Sequence, residues 1–311
     1  MIERIISTKN NYELEITYWP TDICNFNCPY CFAGSTEGKY RYPKDLDEEL
    51  EKFKKLFSRY SQLGKTQFNL TIAGGGEPTL WPKLDEFCER IKQLANVKIN
   101  LVSNASRTLS WWERNAKFLE CVVLSCHVKD VDIEHYINVA DSLFERNINV
   151  VAMMVMDASE WDTCVEYISK MLNSKYSWTI QAKEVVESPG RDVDSYTQEQ
   201  LNYIKQPLKR LEPSDRILQH INEYSLIESV GLYKDGSAQV ANTNKYINGK
   251  ENYFKGWKCN FPLERISINA SGKIQGSCGV EFDVNNPAPI ICSKTCCGCP
   301  PDTHISKERV S

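Results

Sequence analysis

Polar and apolar residues alternate from Glu13 to Tyr18, the period of a half-buried strand. From Leu46 the period lengthens. Leu46, Leu50, Phe53, Phe57 and Tyr60 recur every three or four positions, which predicts a helix, and Gly64 follows as its natural stop. Phe68–Ala73 predicts a second strand, running into Gly74-Gly75-Gly76-Glu77-Pro78, and Pro82 opens a helix to about Ala95. Further strands are expected at Val97–Val102, Cys121–His127, Ile148–Met156 and Trp178–Val185. Helices at Trp111–Leu119, Ile133–Glu145 and Trp161–Leu172 separate them. Repeated strand–helix alternation of this kind predicts a parallel α/β sheet, open or barrel-like.

The pattern breaks at Ser188-Pro189-Gly190, and Thr197 to Gln200 reads as a capping box opening one more helix. Beyond about residue 225 the text turns to short strands with hairpin signals. Asp235-Gly236 separates Gly231–Tyr233 from Ala238–Val240, and Asn269 to Gly272 separates Arg265–Ile268 from Lys273-Ile274. The chain therefore divides into an α/β unit over 1–225 and a small β-rich, cysteine-rich unit over 226–311.

Composition narrows the class. The 311 residues are 41% hydrophobic and 25% charged, an ordinary globular profile. Thirty-seven Lys and Arg against 41 Asp and Glu give a net charge of −4, which indicates no strongly cationic nucleic-acid or membrane surface, although a local patch stays open. The longest apolar run, Val150–Met156, is too short to span a bilayer. The first seven residues hold an early acid and no apolar core, so no signal peptide is read and a cytoplasmic location is expected. A reducing location argues against a disulfide framework for the 13 cysteines, and they call for another explanation.

Their neighbours sort them. Cys88 falls on an apolar stripe with Leu84, Phe87, Ile91 and Leu94, and Cys164 on one with Trp161, Val165, Ile168 and Leu172. Cys121 and Cys126 flank a strand. Core packing is the expectation for these four, since free cysteine behaves as a small hydrophobe. Two clusters remain: Cys24, Cys28 and Cys31 near the start, and Cys259, Cys278, Cys292, Cys296, Cys297 and Cys299 in the last fifth.

Cys24-Asn-Phe-Asn-Cys28-Pro-Tyr-Cys31 puts three thiols on one loop after a strand, a set that holds three irons of a cubane cluster and leaves one iron open. Half of a zinc site is the rival, weakened by the lack of a local fourth ligand. With Tyr30 in the aromatic slot, this C-x3-C-x-aromatic-C loop resembles the radical S-adenosylmethionine (SAM) superfamily. Gly74-Gly75-Gly76-Glu77-Pro78, after the second strand, resembles that family's second feature, and glycines there let backbone approach a ligand closely.

The resemblance covers about residues 12–190 and implies a partial (β/α)6 TIM-type barrel. It implies a [4Fe–4S] cluster on Cys24, Cys28 and Cys31 whose open iron binds SAM. Tyr30 would lie near the adenine, and the backbone of Gly74, Gly75, Gly76 and Glu77 would meet the SAM amino group. Ser103, Asn104 and Ser125 would stand near the ribose. One-electron reduction, from a flavodoxin- or ferredoxin-like donor, cleaves SAM to a 5′-deoxyadenosyl radical, while the protein aims it and excludes water.

Cys259 and Cys278 bracket the hairpin around Gly272, and the tail adds four more cysteines. This resembles the SPASM/twitch type of C-terminal extension, which binds an auxiliary [4Fe–4S] cluster. Six cysteines fit the single-cluster twitch version. Four thiolates suffice, so some are surplus. The resemblance selects Cys292, Cys297 and Cys299, beside Asp302, to join Cys259 and Cys278. The rival pair Cys296-x2-Cys299 is also a good chelating spacing, and a zinc knuckle is the bland rival.

Strand parity names the substrate face. Thr179, Gln181 and Lys183 share one parity against Trp178, Ile180 and Ala182, and Ser125 and His127 share one against Val122, Leu124 and Cys126. With helices outside, the polar parity, including Asn69 and Thr71, is expected to face the barrel interior. His127, Gln181 and Lys183 are the candidate catalytic residues, His127 as a proton donor or simply as a hydrogen-bonded strand end. Met153, Met154 and Met156 read as packing.

The expected function is hydrogen abstraction driving an oxidation, isomerisation or rearrangement, of oxidoreductase or isomerase type, on a small molecule, sugar or modified nucleoside. Because the first barrel strand is read almost at once, no separate peptide-recognition unit is expected, which tilts the reading towards a small molecule. A base within nucleic acid is the alternative, with Lys245–Lys258 and its aromatics as a local surface, as is a ribosomal peptide. The bland reading of that stretch is a solvated loop. The rival of another class is a non-catalytic zinc or iron–sulfur protein.

Overall fold

The computed structural model describes residues 1–31, 38, 41–188, 191–192, 196–205, 208, 228–242 and 245–310. The first strand of the chain is β1 (Ile2–Ser7), and alternation then delivers β2 (Glu13–Tyr18), β3 (Gln67–Ile72), β4 (Val97–Ser103), β5 (Cys121–Cys126), β6 (Asn149–Met156) and β7 (Thr179–Glu184). Between them run α1 (Leu46–Gln62), α2 (Leu84–Ile91), α3 (Leu109–Asn115), α4 (Ile133–Glu145) and α5 (Trp161–Leu172), with α6 (Gln198–Lys205) after β7.

β2 to β7 pair in chain order, all parallel, as the alternation predicts. Burial alternates residue by residue along β2, β3 and β6. Leu14, Ile16, Phe68, Leu70, Ile99, Leu124, Ala152 and Met154, at 0–1% exposure, face the helices. The opposite parity is half-exposed and mostly polar. The sheet is therefore a barrel wall with a dry outer side and a wet inner side, and it is not closed.

Local chemistry explains the helix ends. The Asp45 carboxylate accepts from the amides of Asp47 (2.9 Å) and Glu48 (3.2 Å), capping α1, whose Leu50, Phe53, Leu56, Phe57 and Tyr60 are buried. Gly64 ends that segment at φ 88°, where other residues are strained. Each fully buried Leu or Phe of this face contributes about 1.5–3 kcal/mol. The capping box before α6 forms as expected, with reciprocal bonds between Thr197 and Gln200. The break expected at Ser188-Pro189-Gly190 lies partly outside the described residues; a small ribbon of β8 (Val186–Ser188) and β9 (Arg191–Asp192) flanks it.

The remaining strands are β10 (Glu228–Tyr233), β11 (Ala238–Asn242), β12 (Lys258–Cys259), β13 (Arg265–Ile268), β14 (Ile274–Gln275), β15 (Ile290–Ile291) and β16 (Lys307–Glu308). Both expected hairpins form, with Gly236 at φ 82° and Gly272 at φ 78° in their turns. Sheet membership crosses the division expected between 225 and 226. β1 joins an antiparallel sheet in the order β11-β10-β1-β16-β12-β15, while β13 pairs parallel with β2 and extends the barrel wall. Ile2 and Ile5 of β1 pack with Ala241, Tyr246, Phe254 and Trp257, so the N-terminal strand is core of the C-terminal unit.

That packing corrects two readings. Tyr246, Phe254 and Trp257 are buried, with Tyr253 exposed, so the aromatics of Lys245–Lys258 are core rather than a surface for nucleic acid, while Lys250, Lys255 and Lys258 face solvent as a loop's charges would. Met154 and Met156 are core, but Met153 lies on the inner face. Cys88, Cys121, Cys126 and Cys164 are all buried, as core filler should be. Among the described residues, no helix is long and apolar enough to cross a membrane.

Candidate active site and C-terminal thiol cluster

The loops that carry the cysteine and glycine motifs lie where parallel strands end, the usual place for a site in such a barrel. Cys24, Cys28 and Cys31 follow β2, Gly74–Glu77 follow β3, Ser103 ends β4, and His127 follows β5. The first two loops are zipped together. The amide of Gly76 donates to the Thr21 carbonyl (3.1 Å) and that of Glu77 to the Ile23 carbonyl (2.8 Å), one residue before Cys24. A Cβ on Gly76 would stand 2.1 Å from the Ile23 oxygen, and one on Gly74 1.7 Å from the Gly76 oxygen. Backbone contact this close admits only glycine.

Glu77 is 3% exposed, and its carboxylate is wholly engaged. Oε1 accepts from the Thr79 amide (3.0 Å), Thr79 Oγ1 (2.6 Å) and Ser103 Oγ (2.8 Å), and Oε2 accepts from the Asn104 amide (2.8 Å). Burial nonetheless pushes its pKa above the ordinary carboxylate value, with those four bonds working the other way. The Ser103 hydroxyl, expected from sequence near the ribose, is spent on the Glu77 carboxylate, and the backbone of the turn is the part that sequence assigned to the cofactor. Asn104 reaches the cysteine loop: its Nδ2 donates to Asn25 Oδ1 (3.0 Å) and approaches Cys24 Sγ (3.9 Å).

Tyr30 folds back on the strand ends. Its hydroxyl is hydrogen-bonded to His127 Nδ1 (3.1 Å), and the two rings stack with centroids 5.9 Å apart. Phe26 meets the same imidazole edge-on. Burial lowers the His127 pKa to about 4, against the pull of Asp130, so the ring is neutral at pH 7. Cys28 Sγ lies 3.8 Å from Asp130 Oδ2, and burial together with that carboxylate pushes the thiol up to about 12. Cys24 is half-buried and receives the Phe26 amide (3.4 Å), whereas Cys31 is exposed.

Further along the inner face, register aligns Ser125 with Met153 and Met153 with Gln181, one row of the barrel wall. Lys183 stands one row nearer the mouth, opposite Val155, and is exposed. The inner-face parity expected for Ser125, Gln181 and Lys183 matches this register. Asn69 and Thr71 occupy the corresponding parity of β3, where Asn69 donates to Glu15 (2.9 Å).

The second thiol set gathers as a wall. Cys259, Cys278, Cys292, Cys296 and Cys297 line one small hollow, with Asp302 and Lys307. Burial pushes the thiols of Cys259 and Cys299 up to about 11 and raises those of Cys278 and Cys297. Cys296 is the exposed one of the six. Asp302 is 5% exposed; its Oδ1 faces Arg265 Nε at 3.4 Å, and neither atom has a hydrogen-bond partner. Among the described residues, no three His, Cys, Asp or Glu side chains close around a single metal ion.

Sequence reasoning missed Asp130, Arg265 and Lys307 as neighbours of the thiols. Asp130 lies 102 positions from Cys28, and no local periodicity announces such a pair. The Asn25–Asn104 bond was accessible in principle, because Asn25 sits inside the cysteine motif and Asn104 just past a strand end.

Residues 18–155 match the family described as the Radical SAM superfamily. A stretch of 151 residues is 28% identical to a protein named S-adenosylmethionine-dependent nucleotide dehydratase from Thermoplasmatales archaeon (strain ISO4-H5), covering 44% of this chain and 51% of that one. A stretch of 87 residues is 34% identical to a GTP 3′,8-cyclase from Aquifex aeolicus (strain VF5), covering 27% and 25%. The chain thus spans about half the length of the first relative and a quarter of the second. A solved structure described as "Native anSMEcpe with bound AdoMet" superposes at TM-score 0.48 and 18% identity, over 93% of this chain and 78% of that one.

Proposed function

Through residues 18–155 the chain belongs to the Radical SAM superfamily, and from that premise we propose that it cleaves SAM reductively to abstract a hydrogen atom from a small nucleotide- or nucleoside-type substrate. The observation that carries this reading is the zipped pair of loops: three thiols after β2, held by a glycine turn after β3 with no room for a Cβ. The chemistry of the donors fits the groups the family implies. Cys24, Cys28 and Cys31 would hold a [4Fe–4S] cluster, and the Gly74–Glu77 backbone would meet the amino group of SAM. Bound together, the two groups supply a 5′-deoxyadenosyl radical once an electron arrives, from a flavodoxin- or ferredoxin-like donor.

The chain's own residues then have distinct tasks. Glu77 and Ser103 hold the turn rigid, and Asn104 holds the cysteine loop through Asn25. Tyr30 and the neutral His127 form one wall of the chamber and exclude water from it. Ser125 and Gln181 offer hydrogen bonds from the same row to polar groups of the substrate. Lys183, exposed at the mouth, suits an anionic group such as a phosphate. Two relatives named for nucleotide chemistry favour this substrate class over a sugar or a peptide.

In the C-terminal unit, four of Cys259, Cys278, Cys292, Cys297 and Cys299 would supply the thiolates of an auxiliary [4Fe–4S] cluster, leaving one of them and exposed Cys296 to spare. Four half-buried thiols lining one hollow, Cys259, Cys278, Cys292 and Cys297, fit such a group in number and in chemistry.

Substrate class is tested by adding SAM and dithionite to the reconstituted protein with single nucleoside triphosphates, sugars or peptides. Release of 5′-deoxyadenosine above the substrate-free rate with a nucleotide is expected. Stimulation by sugars or peptides alone would overturn the nucleotide reading.

A further inference from the structure

We propose that the Lys307 ammonium is a fixed positive charge that raises the reduction potential of the iron–sulfur group held by the C-terminal thiols. The inference rests on the auxiliary-cluster reading above.

Lys307 is 4% exposed, which is unusual for a lysine, and burying an ammonium is costly unless something holds it. Its Nζ donates to the carbonyls of Asp302 (2.6 Å) and Thr303 (3.2 Å) and lies 4.4 Å from the centre of the Phe254 ring. These holders are two neutral carbonyls and an aromatic face, so they fix the charge without cancelling it. The Asp302 carboxylate lines the same hollow; it lies 3.4 Å from Arg265 Nε and is held chiefly by Arg265 and secondarily by Lys307.

Register then aims the charge. β16 pairs with β12 so that Lys307 stands directly opposite Cys259, which puts the two side chains on one face of the sheet. Lys307 lines the same hollow as Cys259, Cys278, Cys292 and Cys297. The field of that charge therefore acts on whatever group the thiols hold. When the group takes up one electron it gains one unit of negative charge, and a buried cation in a low-dielectric wall stabilises that form over the oxidised one. A lysine serving only to staple the turn at Asp302 would leave the potential where it is.

The test uses the full chain with Cys24, Cys28 and Cys31 changed to Ala, so that only the C-terminal group is observed. Its midpoint is followed by electron paramagnetic resonance during titration with dithionite, in the parent and in Lys307→Met, Lys307→Gln and Lys307→Arg. The glutamine amide keeps a hydrogen-bond donor on a slightly shorter side chain but carries no charge. Expected are retained iron, a lower midpoint in Met and Gln by about tenfold in the one-electron equilibrium, or about 59 mV, and restoration in Arg. An unchanged midpoint in an iron-replete neutral variant overturns the proposal alone. Loss of iron from both neutral variants also overturns it, in favour of a purely structural lysine. A parent that holds no iron overturns the auxiliary-cluster reading, and the proposal with it.

Discussion

The amide of Glu77 donates to the carbonyl of Ile23 at 2.8 Å, tying the turn after β3 to the residue that precedes Cys24. The two motifs are therefore one rigid object, not two loops that happen to face each other. Gly76 is its tightest point, since a Cβ there would press on the Ile23 backbone rather than on a movable side chain. Gly76→Ala should cost about 1–3 kcal/mol in overpacking and displace the cysteine loop. Iron at the N-terminal site and binding of SAM should fall sharply, while the C-terminal iron stays. Iron counting and equilibrium dialysis of SAM check this, and wild-type SAM binding in the variant would contradict it.

Glu77→Ala should act by a different route. It leaves Ser103, Thr79 and two buried amides without their acceptor, and each orphaned donor costs about 1–3 kcal/mol. Thermal unfolding of the variant should show a loss well beyond that of an exposed Glu→Ala change such as Glu51→Ala. Equal losses would mean that the network contributes little.

How much of this was legible in the sequence depends on the length scale of the interaction. α4 and α5 begin and end where periodicity puts them, because an amphipathic stripe with a capping Asp132 is a local signal. The inner and outer faces of the barrel were legible too, since strand parity is local. β1 was not, although Ile2 and Ile5 alternate with polar residues weakly. Its partners, β10 and β16, lie more than 200 residues away, and only tertiary pairing makes it a strand. The same holds for the site. The cysteine and glycine motifs were readable, whereas Asp130, Arg265 and Lys307 reach the thiols through folding that no spacing announces.

The exchange of β1 into the C-terminal sheet has its own consequence. Ile5 is fully buried against Tyr246, Phe254 and Trp257, on the sheet that carries Cys259. Ile5→Ala should cost about 2–5 kcal/mol and loosen the C-terminal unit first. Iron at the C-terminal site should be lost while SAM binding persists. Simultaneous loss of both would indicate a single cooperative core.

Acid should weaken the barrel wall through Glu15. Burial works to raise its pKa, but Lys9 and Arg265 more than offset that, so the net shift is downward from the ordinary value of 4.5. A carboxylate with a lowered folded-state pKa contributes stability that is present above the unfolded value and lost as pH falls through the folded one. Stability measured by urea unfolding should therefore decline as pH drops below about 4.5. Lys9→Met removes one of the two partners and should flatten that decline. An unchanged acid slope in the variant would assign the pH response to other carboxylates.

The most direct test of the central claim is product analysis after anaerobic reconstitution with iron and sulfide, followed by dithionite and SAM. The account predicts 5′-deoxyadenosine from the intact chain and none from the variant with Cys24, Cys28 and Cys31 replaced by Ala, which should keep about half the iron if the second group is also a four-iron cluster. Zinc in place of iron, or no 5′-deoxyadenosine from the intact iron-replete protein, would contradict it.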